Sequence, residues 1–286
     1  MGQVPLPMLD KDCVAFLQWC LPQLELRWPG YRKVRRTVCK RVGRRMRQLG
    51  LEGTEAYRAY LAEHSDEWQR LDAFCSIPIS RFYRDREVFR AIEGTILPAL
   101  SKGAMARPDR TVRCWCAGCA SGEEAYTLGI VWRYSVQPTL PAARIEILGT
   151  DVDETVLRRA ERACYAAGSL KDLPSRYLDR AFRHCDDQNC VKPIVRRCVR
   201  FDRQDIRTKM PEGVFDLVMC RNSVFTYFET ARQQQILGRI SAHLAEGAIL
   251  VIGAHERLPK GEERYSQPYG DLPIYRRDLS AQTCAT

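Results

Sequence analysis

The sequence predicts an α/β protein: a doubly wound, mostly parallel, Rossmann-like sheet preceded by an all-helical N-terminal domain. Two observations carry this. From Thr111 onward, apolar runs of strand length alternate with amphipathic runs of helix length, the pattern of crossovers in a parallel sheet. Before residue 75 the apolar residues recur only at helical spacings of three or four. The chain has 286 residues, 45% of them hydrophobic, which suits one large domain or two modest ones with a full core. The expected division is 1–75 for a helical domain carrying a basic helix, 76–108 for a connector and linker helix, and 109–286 for the sheet domain.

Taken in order, "DCVAFLQWCLPQLEL" reads as a first helix ending near Pro22. In "GYRKVRRTVCKRVGRRMRQLGL", Tyr31, Val34, Val38, Val42, Met46 and Leu49 form one apolar stripe. Gly50 and Gly53 stop that helix, and "TEAYRAYLAEHSDEWQRLDAFC" follows as a third, with Thr54 as its N-cap. The connector "SIPISRFYRDREVF" leads into "REVFRAIEGTILPAL", a helix ending near Pro98. Then "TVRCWCAG", "ARIEILGTDV", "VFDLVMCRN" and "GAILVIGA" read as strands. "GEEAYTLGIVWRYS", "DETVLRRAERACY" and "ARQQQILGRISAHL" read as the helices between them. One region, with β-like pieces such as "KPIVRRCVRF", breaks the alternation and reads as a small β insertion near 169–200 or a long crossover.

The N-terminus lacks the basic region and apolar run of a secretory signal, and no stretch reaches the roughly 20 apolar residues of a membrane helix. The expectation is a soluble cytoplasmic protein with no membrane insertion. Thirteen scattered cysteines read as reduced, partly buried thiols rather than a disulfide framework. Cys114, Cys116 and Cys119, or Cys185 and Cys190, lack the second ligand pair of a zinc site, so no metal is expected. The net charge is +10, and nine Lys or Arg with no acid lie between Arg32 and Arg47. That basic helix fits an acidic protein surface, nucleic acid, or a solvated face. The few aromatics in it count against stacking on single strands.

The chemistry concentrates in "CWCAGCASGEEAYTLGIVW". Gly118 and Gly122 fall in the first βα turn, where backbone approaches a ligand closely. Their GxxxG spacing departs from the GxGxxG of nucleotide dehydrogenases. Glu123 and Glu124 at the helix start suit the macrodipole but would repel a pyrophosphate. The second strand ends in "GTDVD", where Asp151, with Asp153 as a substitute, is placed to take two ribose hydroxyls. A glycine turn, acids that welcome a cation and a ribose-binding acid together describe S-adenosylmethionine, with S-adenosylhomocysteine as its product.

These residues carry a family resemblance. "GCASGEEAYTLG" resembles the glycine-turn motif of the chemotaxis receptor methyltransferases, the CheR family. "ISRFYRDREVF", "ILGTDVDETVLRRAERACY", "FDLVMCRNSVFTYF" and "GAILVIGAHERL" are similar to four further motifs, in order, from about residue 30 to about residue 260. The resemblance implies an S-adenosylmethionine-dependent enzyme that makes methyl esters on protein glutamates. By motif it places Ser80 and Arg84 at the cofactor, Glu124 on the methionine ammonium and Asp151 on the ribose. It sets Asp205 and Ile206 beside the adenine, Arg221 and Asn222 along the pocket, and Arg84 and Tyr227 nearest the transferred methyl. It also implies that the basic helix near 32–47 meets an acidic protein substrate, with nucleic acid as the competing class.

Three departures stand out. Pro78 replaces a cofactor-contacting Asn of the family, so that contact is lost. Asp205 replaces an Asn. Four residues, "SVFT", separate Asn222 from Tyr227 where the family has three, a change worth roughly 100° of rotation if the loop enters a helix. Local readings remain beside the functional ones. Arg84 could be structural, in a stretch where Arg81, Arg86 and Asp85 could make ordinary surface pairs, Tyr227 could pack with Phe225 and Phe228, and His255 could face the site or cap a strand. A small-molecule methyltransferase and a cofactor-binding regulatory module without activity are the alternative functions.

Overall fold

The computed structural model describes residues 10–278, which fall into two compact units. The first nine residues, on which the secretory-signal reading partly rests, lie outside the described residues. One unit comprises residues up to Ile77 together with Thr226–Arg232; the other comprises Pro78–Phe225 and the residues from Gln233 on. No helix among the described residues is long and apolar enough to cross a membrane.

The first unit is helical: α1 (Asp10–Cys20), α2 (Arg35–Gln48), α3 (Gly53–Glu63) and α4 (Ser65–Cys75). The stripe expected on α2 buries Val38, Val42 and Met46 against Phe16, Leu17, Tyr57, Leu61 and Leu71. Tyr31 belongs to a separate short turn of helix, Trp28–Tyr31. Two local expectations are corrected. Thr54 caps nothing, because the helix already starts at Gly53. The expected third helix is two, broken where His64 turns extended (φ −126°, ψ 90°). The break is held from both sides: the His64 ring stacks on Tyr60 at 3.7 Å, and Trp68 Nε1 donates to the freed Leu61 carbonyl at 3.0 Å.

The returning segment Thr226–Arg232 is tied into this unit by backbone. Leu26 bridges Phe228, Arg27 N–H donates to the Tyr227 carbonyl at 2.8 Å, and Glu229 N–H donates to the Glu25 carbonyl at 2.9 Å.

The second unit is built on strands β1 (Thr111–Ala117), β2 (Arg144–Asp151), β3 (Cys164–Tyr165), β4 (Phe182–Cys185), β5 (Gln188–Val191), β6 (Val199–Arg203), β7 (Phe215–Cys220), β8 (Leu244–Ile252), β9 (Tyr265–Ser266) and β10 (Ile274–Arg277). Seven form the main sheet in the order β6-β2-β1-β7-β8-β10-β9, and β3-β5-β4 form a second sheet. Pairs β6·β2, β2·β1, β1·β7 and β7·β8 are parallel, while β10 is antiparallel to both neighbours. Both faces of the central strands are covered, so β7 buries all six of its residues. The sequence order leaves β1 in one direction toward β2 and in the other toward β7. The carboxyl ends of β1 and β7 therefore flank the switch point where ligands bind in such sheets.

Four cysteines correct the expectation of reduced thiols throughout. Cys13 pairs with Cys39 as a disulfide in the helical unit, and Cys164 with Cys190, which face each other across β3 and β5. The spacing of scattered cysteines carries no sign of which side chains the fold will oppose.

Candidate functional site

The turn after β1 is built by backbone. Gly118 N–H and Cys119 N–H both donate to the Thr150 carbonyl at the end of β2, at 2.8 and 2.9 Å. Gly118 has φ +72°, and a Cβ there would stand 2.9 Å from Ser223 Oγ, so this close approach requires glycine. Gly122, at φ +85°, begins helix α6 (Glu123–Val131), and a Cβ on it would strike Phe201 and Ala160. Helix α7 (Glu154–Arg162) follows β2, capped by the Asp153 carboxylate, which accepts the Thr155 N–H at 2.8 Å. Asp153 is thereby occupied as a cap, which leaves Asp151 as the acid at the strand end.

Asp151 joins the two loops. Its Oδ2 accepts the Ala120 N–H at 2.9 Å and its Oδ1 accepts the Asp153 N–H at 3.0 Å. Burial pushes its carboxyl above the usual carboxylate range, against the pull of those donors.

The connector supplies Ser80, Arg84 and Asp85, followed by the short helix α5 (Arg86–Ala91). Ser80 and Ser121 hydroxyls face the carboxyl of Glu123, a buried group whose Oε2 has no hydrogen-bond partner among the described residues. Burial raises that carboxyl too. Arg84 donates to the Ile79 carbonyl at 3.0 Å, and its Nη2 lies 3.5 Å from Asn222 Oδ1. Arg221, at the end of β7, is buried under the connector. Its Nη1 meets Glu124 Oε2 at 2.7 Å. Its Nη2 meets Asp85 Oδ2 at 2.5 Å and the Arg84 carbonyl at 3.1 Å. The guanidinium also lies 5.5 Å from the centre of the Phe89 ring. Burial pushes Glu124 above the usual carboxylate range, against the attraction of Arg221 and Arg84.

Asn222 adopts the left-handed conformation, φ 53°, which Asn tolerates better than most residues. Glu256 holds it there. One buried carboxylate oxygen accepts the Asn222 N–H at 2.9 Å and the Gly253 N–H at 2.5 Å, tying the ends of β7 and β8 together beyond their last paired residues, Cys220 and Ile252.

The structure thus brings Ser80, Arg84, Gly118, Glu124, Asp151, Arg221 and Asn222 to one edge of the sheet unit. Asp205 and Ile206 follow β6 on the neighbouring loop. There Asp205 closes on Arg207, accepting its backbone N–H at 2.9 Å and its guanidinium at 2.8 Å. The Ile206 carbonyl faces Arg239. Tyr227 belongs instead to the segment in the helical unit, its ring 4.9 Å from that of Tyr31.

Sequence reasoning missed two residues. Asp85 read as a surface partner of its neighbours, yet Arg81 and Arg86 pair with Asp172 while Asp85 turns to Arg221. His255 drew attention, but it is exposed and Glu256 beside it is the buried one. Adjacency to singled-out residues was the only sequence signal for either.

Comparison with known proteins identifies the family. A family model described as the SAM-binding domain of CheR methyltransferase matches residues 79–271. A chemotaxis protein methyltransferase of Listeria monocytogenes is 32% identical over 191 residues, 66% of this chain and 70% of that protein. One from Escherichia coli is 29% identical over 239 residues, 80% and 79% of the two chains. An uncharacterized 104.1 kDa protein of Rhodobacter capsulatus is 30% identical over 230 residues, 80% of this chain, which spans only 24% of that longer protein.

Proposed function

This chain belongs to the CheR family of S-adenosylmethionine-dependent methyltransferases, and from that premise we propose that it forms methyl esters on glutamate carboxylates of an acidic protein. The observation that carries the site assignment is the convergence of three groups: the Gly118 turn, Asp151 joined to that turn through Ala120, and Glu124 held by Arg221. The turn leaves close backbone approach without a phosphate cradle. Asp151 fits two ribose hydroxyls, and Glu124 fits an ammonium.

S-adenosylmethionine supplies a methyl group activated by its sulfonium. The acceptor, a glutamate with an ordinary pKa near 4.3, is already an anion at neutral pH. In that transfer the carboxylate oxygen would take the methyl carbon as its bond to sulfur breaks, with S-adenosylhomocysteine as the leaving product. No proton moves, so no general base is required. The chain contributes positioning and exclusion of water. Arg84 presents a planar fork suited to a carboxylate, oriented by its bond to the Ile79 carbonyl. Arg221 holds Glu124 beneath the connector. Asp205 and Ile206 border the adenine, and Ser80 and Asn222 complete the wall; Tyr227, which the family motif assigns to the transferred methyl, lies on the segment that returns to the helical unit. The helical domain presents the basic face of α2 to the protein substrate. Arg36, Lys40, Arg44 and Arg47 are exposed on it and Arg32 and Lys33 just before it, while Arg35 and Arg45 are engaged by Asp10 and Glu67. We assign the reaction to the cytoplasm.

The test is incubation of the protein and a host lysate with methyl-labelled S-adenosylmethionine, followed by mild base. Label on protein that leaves as methanol supports the proposal. Label in the small-molecule fraction or in nucleic acid overturns the choice of acceptor.

A further inference from the structure

Glu124 and Asp85 share one guanidinium. Arg221 carries a single positive charge, its side chain is 2% exposed, and it binds one oxygen of each carboxylate. The three side chains together therefore carry one net negative charge when both acids are ionised. Among the described residues no side chain meets the second oxygen of Glu124, while its first is held at 2.7 Å. Asp85 reaches Arg221 from a left-handed backbone conformation, φ 61°, which a non-glycine residue rarely adopts. Such a turn immediately before α5 is kept only if something fixes it, and the bond to Arg221 does so.

We infer that Asp85 is a positioning residue that acts on Glu124 through Arg221, leaving the three side chains together with the net negative charge that takes the α-ammonium of S-adenosylmethionine. The inference rests on the reading that Glu124 binds that ammonium. If Arg221 faced Glu124 alone, the two charges would cancel inside the protein and the ammonium would meet a neutral pair. Asp85 takes part of the guanidinium field and adds a negative charge of its own. The other charged or titratable groups facing Glu124 are Arg84 on the connector and the thiols of Cys116, Cys119 and Cys220. The thiols are held neutral by burial, so Arg84, Arg221 and Asp85 set the local field.

The experiment is calorimetry on the full chain with two probes. S-adenosylhomocysteine carries the ammonium; 5′-methylthioadenosine carries the same nucleoside and sulfur without it. Asp85→Asn keeps size and hydrogen-bonding capacity but removes the charge. It should weaken S-adenosylhomocysteine by on the order of tenfold and 5′-methylthioadenosine by no more than about twofold, since one charge several ångströms away acts on the charged probe. It should also move the rise of S-adenosylhomocysteine affinity with pH to lower pH, because Asp85 helps hold the Glu124 proton. Glu124→Gln separates the two ideas. If Glu124→Gln weakens the charged probe and Asp85→Asn does not, the inference fails and the ammonium site stands. If Glu124→Gln leaves the charged probe unchanged, the ammonium site fails and the inference with it. Equal loss of both probes in Asp85→Asn makes Asp85 a structural brace and overturns the inference.

Discussion

Each unit buries a glutamate against an arginine, and the two pairs are satisfied to different degrees. In the helical unit, Glu67 is 1% exposed, and both its oxygens meet Arg45, at 2.9 and 2.7 Å. The Tyr57 hydroxyl adds a third bond at 2.8 Å. Burial pushes Glu67 up, but these donors win and hold it below its ordinary value. In the sheet unit, Glu124 has one oxygen on a guanidinium that it shares with Asp85, and burial wins. The same two residue types thus make a closed brace in one place and an open, charged receptor in the other. The count of donors differs plainly: three hydrogen bonds reach the Glu67 carboxylate and one reaches Glu124.

The largest effect that tests this contrast is on stability. Glu67→Ala strands the half-buried Arg45 guanidinium and the buried Tyr57 hydroxyl, and should cost about 2–4 kcal/mol in urea unfolding. Affinity of the surviving folded protein for S-adenosylhomocysteine should not change. A loss of affinity in place of stability would break the comparison.

Glu124→Gln should do the reverse. Arg221 keeps Asp85, so the unfolding free energy should move by about 1 kcal/mol or less, while S-adenosylhomocysteine affinity falls about ten- to a hundredfold, the worth of a charge-assisted bond. Calorimetry and urea unfolding on one preparation give both numbers.

The two glutamates should also respond oppositely to pH. Glu67 has a lowered native pKa, so its contribution is complete above the ordinary carboxylate range and is lost as pH falls through that lowered value. Glu124 and Asp151 have raised native pKa values, so the native state holds their protons more tightly than the unfolded chain does. Their contribution is complete below the ordinary range and is lost as pH rises through the raised values. A ligand ammonium placed against Glu124 relieves that loss. The rise in melting temperature caused by S-adenosylhomocysteine should therefore be larger at pH 7.5 than at pH 5. An equal shift at both values would remove Glu124 as a titrating partner of the ligand.

The smallest effect on the isolated protein belongs to the exposed face of α2. Reversing Arg36 and Arg44 to Glu should change stability by about 0.5 kcal/mol or less and leave cofactor affinity intact. Methylation of the protein substrate should fall, and raised salt should mimic the loss, since exposed charges are screened over about 8–10 Å. Unchanged methylation would make this face merely solvated.

The sequence alone determined the sheet's centre and the local signals around it. β1 and β7 are buried almost throughout and β2 and β8 over their carboxyl-terminal halves, so these stretches read as apolar runs, and glycines or acids mark their carboxyl ends. Short or polar elements were not legible. β6, an edge strand reading "VRFDR", registers only in part, as the end of the β-like piece "KPIVRRCVRF", and β9 and β10 span two and four residues, too few for a period to register. The break at His64 was hidden as well, because Ser65 and the acids after it suit the start of a helix as well as its interior. Only the tertiary structure decided how the charges are shared. Gly118, Glu124 and Asp151 announce themselves through their neighbours, but Asp85 meets Arg221 across 136 residues, and Glu256 meets Asn222 across 34. Local pattern follows from the backbone's own geometry, whereas a hydrogen bond between distant residues exists only once packing has removed water from both and left each the other's available partner.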